Sequence, residues 1–114
     1  MSILAGARIR HTVVFALSHP AGSGEERDFL DAFAGLAAID GVEECEVVAE
    51  ISPKNAYTHA VSMEFADRAA YDAYNGHPDH VGFVQGRWLP EVTDFLEIDL
   101  TAPGGGDRPA TNPR

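Results

Sequence analysis

This chain is short of several things, and each shortage narrows what it can be. Cys45 is the only cysteine in 114 residues, which excludes an internal disulfide and a cysteine-based zinc site. Lys54 is the only lysine, and 8 Lys plus Arg stand against 18 Asp plus Glu, a net charge of −10 with histidine neutral. Such a chain repels phosphate backbones. It has no basic stripe to override that field, so neither nucleic acid nor an anionic membrane surface is an expected partner. No apolar run approaches the roughly eighteen residues of a membrane span. The opening Met1 to Ala7 is too short for a secretory signal, which leaves the cytoplasm as the expected location. Repeats are absent too. What remains, 45% apolar and 23% charged, is the composition of one ordinary globular domain.

The patterning divides that domain into six elements. Ile9, His11, Val13, Phe15 and Leu17 alternate with Arg10, Thr12, Val14 and Ala16, the period of a strand. Ser23-Gly24-Glu25-Glu26 is a capping box, with Phe29, Leu30, Phe33 and Leu36 following at helical spacing. A strand from Glu43 to Ile51 places Cys45, Val47, Ala49 and Ile51 on its apolar side. The next, Tyr57 to Phe65, does so with Tyr57, His59, Val61, Met63 and Phe65. A helix from Asp67 to Asn75 is broken before Pro78 and resumes to about Trp88. Thr93 to Leu100 closes the pattern with alternating Leu96, Ile98 and Leu100. The order β-α-β-β-α-β predicts an α+β, ferredoxin-like unit, a four-stranded antiparallel sheet with its helices on one face. Residues 8–100 form the domain, 1–7 a flexible extension and 101–114, rich in Gly and Pro, a disordered tail. The other sheet face offers Thr12, Val14, Ala16, Thr58, Ala60 and Ser62, a small and weakly polar surface. It suits a second copy, packed sheet on sheet as a homodimer.

Chemistry concentrates in Tyr74-Asn75-Gly76-His77-Pro78-Asp79-His80. Pro favours the first helical position, making His77 the expected N-cap and placing His80 in the first turn. A neutral imidazole there can act as a base, with the Tyr74 hydroxyl one turn before the break. His11 and His59 sit on the apolar faces of the two strands expected at the centre of the sheet. Singly, each reads as a satisfied core histidine. Taken with Tyr74 and His80, they predict an apolar pocket holding four polar groups, walled by Phe15, Val61, Phe83 and Trp88. A metal or haem site is the weaker reading, because His77 as a cap points away; neither metal nor cofactor is expected.

The opening Ile9 to Phe15, the central Tyr57-Thr58-His59, the stretch Tyr74 to Phe83 and the closing Asp94 to Leu100 together resemble the stress-responsive A/B barrel domain family. That resemblance implies a dimeric α+β barrel. One enzymatic branch, similar to plant olivetolic acid cyclase, closes poly-β-ketone chains by intramolecular aldol condensation without a cofactor. On that likeness Tyr74 and His80 are catalytic, and His11 and His59 line the pocket. The expected function is a cyclase-type, cofactor-free enzyme acting on an apolar or polyketide-like small molecule. The alternative is a stress-associated protein that binds an apolar metabolite without turnover.

Overall fold

The period of two in the first segment and the helical spacing after Ser23 both become the elements they predict. The computed structural model describes residues 1–105, with β1 (Ile9–Leu17), α1 (Gly24–Ala34) and a 3₁₀ turn (Gly35–Ala38) first. Next come β2 (Glu43–Ala49), β3 (His59–Phe65), α2 (Arg68–Gly76) and α3 (Pro78–Phe83). A π-helical turn (Val84–Trp88), a short α4 (Leu89–Glu91) and β4 (Val92–Leu100) complete the fold. All strand pairs are antiparallel, in the order β2-β3-β1-β4. Residues 1–7 and 101–105 contain no helix or strand, and the rest of the expected tail, 106–114, lies outside the described residues. No described helix is long and apolar enough to cross a membrane.

The caps form much as the sequence implies. The Glu26 amide donates to Ser23 Oγ at 3.1 Å, half of the capping box. The other half differs: Glu26 Oε1 accepts from the Gly22 amide at 3.0 Å rather than from that of Ser23, whose N–H donates to the Pro20 carbonyl. Its second oxygen is thereby left to reach β3. His77 caps α3 as expected, its Nδ1 accepting from the Asp79 amide at 3.0 Å.

Register decides which residues face the helices, because directly paired residues share a face. Ile9, Val13, Phe15, Val61, Met63 and Phe65 are buried on that side. There they meet Phe29, Phe33, Tyr71, Tyr74, Phe83 and Trp88 in one core. Ile51 does not belong to the apolar side of β2; it lies beyond the end of the strand and is 89% exposed. In β4, Phe95, Glu97 and Asp99 pair with Phe15, Val13 and His11, so they face the helices. Leu96, Ile98 and Leu100, opposite Val14, Thr12 and Arg10, face outward and are exposed, as is Val48 of β2. The outer face of the sheet is therefore more apolar than the small residues of β1 and β3 suggest.

Candidate functional site

Tyr74 closes α2 and His80 opens α3, and the break at His77–Pro78 folds the second back onto the first. Their ring centroids are 4.5 Å apart. The His80 Nδ1–H donates to the Asn75 carbonyl at 3.0 Å. A carbonyl only accepts, so this bond assigns the proton to Nδ1 and leaves the lone pair of neutral His80 on Nε2. Burial, opposed in part by that backbone bond, lowers the His80 pKa below its ordinary 6.5 and keeps the ring neutral at pH 7. Tyr74 is 1% exposed, and burial raises its pKa far above the usual phenol value. Its hydroxyl has no hydrogen-bond partner among the described residues, so it remains a protonated donor with capacity to spare.

The strands supply the other side. His11 Nδ1 lies 2.7 Å from Asp99 Oδ1 and 3.0 Å from the Tyr71 hydroxyl, and Tyr71 also donates to Asp99 Oδ2 at 3.0 Å. Burial pushes the Asp99 carboxyl upward, but the hydrogen bond and charge of His11, the Tyr71 hydrogen bond and the charge of Arg68 together outweigh it and hold the pKa below its ordinary value. With Nδ1 turned to Asp99 and Tyr71, Nε2 is the ring nitrogen of His11 left for other contacts.

Between these layers is a cavity of about 290 Å³. Its sheet side is formed by His11, Val13, Phe95 and Glu97, and its helix side by Tyr74, His80, Phe83, Val84, Trp88 and Leu89, with Phe33 and Leu36 behind. Of the residues expected at the site, His11, Tyr74, His80, Phe83 and Trp88 line it; His59, Phe15 and Val61 do not. Phe15 and Val61 are packed into the core. His59 is stacked on Phe15, with 5.6 Å between centroids, and its Nε2 is held by Glu26 Oε2 at 3.1 Å. The reason is antiparallel register. Phe15 pairs with His59 and Met63 with His11, so the two imidazoles sit four residues apart along the strands, roughly 13 Å. Sequence reasoning missed Tyr71, Phe95, Glu97 and Asp99. Tyr71 reads as packing, and β4 reads by its leucines, although the intervening Phe-x-Glu-x-Asp carries the signal. No group of three or more His, Cys, Asp or Glu among the described residues has the geometry to hold a metal ion.

The family model described as Stress responsive A/B Barrel Domain (Dabb) matches residues 9–102. The chain belongs to the stress-responsive A/B barrel family. A Dabb family protein with a ferredoxin-like fold from Mesorhizobium loti is 57% identical, with a TM-score of 0.82 over 85% of this chain and 98% of that one. A dimeric ferredoxin-like protein of unknown function from Thermobifida fusca shares 22% identity (TM-score 0.70, 86% and 93% covered). The hydroxynitrile lyase of Passiflora edulis shares the fold at 15% identity (TM-score 0.75, 84% and 94% covered). Nothing among curated proteins matches. The Thermobifida fusca protein and those of Bacteroides fragilis and Jannaschia are described as dimeric, and on this chain Leu96, Ile98 and Leu100 leave the outer sheet face exposed and apolar.

Proposed function

We propose that this protein is a cofactor-free enzyme of the polyketide cyclase type, joining two carbons of one ketone chain by proton transfer and aldol addition. One observation carries the reading: a buried, protonated phenol and a neutral imidazole with its Nε2 lone pair stand together on the wall of one apolar cavity. His80 Nε2 takes the acidic proton from a carbon between two carbonyls. The enolate carbon then attacks a distant carbonyl of the same chain, forming the C–C bond. The hydrogen of the Tyr74 hydroxyl stabilises the developing oxyanion, and the His80 imidazolium returns its proton to the alkoxide. Atoms and charge balance with no oxidant and no cofactor. His11, held by Asp99, orients a substrate oxygen, while the aromatic walls keep the chain folded and the reacting carbons close. That a protein of this fold is named a hydroxynitrile lyase is compatible with the reading, although the likeness there is one of fold.

The test is deuterium uptake at the activated carbon of a β-diketone in D₂O, measured by NMR above the buffer rate. Tyr74→Phe and His80→Gln are each expected to slow it by about 10²–10⁴-fold, with the melting temperature held near that of the parent protein. Two fully active variants refute the mechanism. The mostly apolar lining also fits binding without turnover, which predicts a co-purified ligand recovered chemically unchanged.

A further inference from the structure

We propose that Tyr71 is a positioning residue for this site: its hydroxyl holds Asp99 in place, and through Asp99 it fixes how His11 presents its remaining ring nitrogen to the cavity. The inference rests on the proposed function for its kinetic consequence, not for the contact itself. Tyr71 does not line the cavity, so any effect it has there passes through another residue. The need for an anchor comes from where Asp99 sits. β4 is an edge strand, and the Asp99 side chain is 40% exposed against 10% for that of His11. A carboxylate so placed has water as an alternative partner, and one contact to His11 at 2.7 Å leaves it free to turn about its own side-chain bonds. Tyr71 removes that freedom. Its hydroxyl lies 3.1 Å from Oδ1 and 3.0 Å from Oδ2 of Asp99, and 3.0 Å from His11 Nδ1. Burial and the charge of Asp99 both push the phenol pKa up, so Tyr71 stays a protonated donor at neutral pH. Packing accounts for the ring, which meets Phe65 with 5.1 Å between centroids and lies under the Arg68 guanidinium. A phenylalanine would pack there as well, and only the carboxylate accounts for the hydroxyl. Two other histidine–carboxylate pairs are built the same way: Glu26 on His59 is held by the Gly22 amide, and Glu91 on His19 by Arg87. At the cavity the second holder comes from α2, the helix that also carries Tyr74. The hydrogen bond to Asp99 therefore ties the helix of Tyr74 to the strands of His11, whose rings are 6.5 Å apart between centroids.

Tyr71→Phe removes one oxygen and keeps the ring. With acetylacetone as the probe, deuterium uptake is expected to slow about tenfold in this variant of the full chain. In a His11→Asn background the same change is expected to matter by less than about twofold, because the residue it acts through is gone. A purely structural Tyr71 predicts the same fractional loss in both backgrounds, and that result overturns the proposal, as does full activity in Tyr71→Phe. NMR of the ligand-free protein gives a readout that needs no turnover. The ring-nitrogen signals of His11 are expected to shift and broaden in Tyr71→Phe, while those of His59, at the far end of the strands, stay in place. Unmoved His11 signals overturn the proposal. In the parent protein the Tyr71 hydroxyl proton is expected to exchange slowly with water and to cross-relax with the His11 ring. A proton that exchanges as fast as that of an exposed phenol overturns the proposal even where the variant does not fold. If the parent protein exchanges acetylacetone no faster than buffer, the proposed function falls, and the His11 signals alone decide whether Tyr71 positions that ring.

Discussion

At one end of the β1–β3 pair, His59 lies against Phe15, gripped by Glu26 from the cap of α1. At the other end, His11 lies beside a hollow, gripped by Asp99 from β4. The two histidines sit on the same side of adjacent central strands, each with a carboxylate on a ring nitrogen. What differs is the filling above them. At the His59 end the second ring nitrogen is taken, with Nδ1 2.7 Å from the Thr58 hydroxyl, and Phe15, stacked on the ring, packs against Trp88 with 5.1 Å between centroids. Over His11 the helix break at Pro78 lifts the roof and leaves space. A buried imidazole with a carboxylate partner is therefore not by itself a functional group; access to its second nitrogen makes it one.

The largest expected effect comes from breaking the filled end. Phe15→Ala removes a fully buried ring and is expected to cost about 3–5 kcal/mol, read as a lower denaturation midpoint, with the remaining folded protein still able to bind at the hollow end. A strong loss of binding by that folded fraction would mean the two ends are not separate. A smaller effect comes from exchanging each histidine for asparagine. His11→Asn is expected to lower turnover by about ten- to hundredfold, whereas His59→Asn leaves turnover unchanged and costs about 1 kcal/mol of stability. Equal losses of turnover in the two variants would erase the distinction. The smallest effect is in pH. Because the folded pKa of His80 lies below its ordinary 6.5, the unfolded chain binds more protons in that window. Stability is then present above 6.5 and declines as pH falls through the folded value, while the acid limb of the turnover profile also lies below 6.5. His80→Gln should flatten the stability change, and an acid limb above 6.5 would contradict a neutral, buried base.

Most of the fold was legible because its signals are local: alternation in β1 and β3, Ser23 before α1, Pro78 after His77. The helix-side half of the site was legible for the same reason, since Tyr74 and His80 are six residues apart around one break. The sheet side was not. His11 and His59 look equivalent in a pattern of alternating residues, and only the antiparallel pairing of Phe15 with His59 separates them. Asp99 and Glu97 belong to the site through pairing with β1 across more than eighty residues of chain, and the neighbouring leucines of β4, which look like core, face outward.

The alternation of β1 has a consequence for how this protein can change over generations. His11, Val13 and Phe15 answer to chemistry and packing, while Thr12, Val14 and Ala16 answer to whatever covers the outer sheet. Selection can retune ligand preference through the odd positions and assembly through the even ones without trading one against the other. Substitution is thus a gentle path for this strand, and a single inserted residue a ruinous one, because it exchanges the two sets at a stroke.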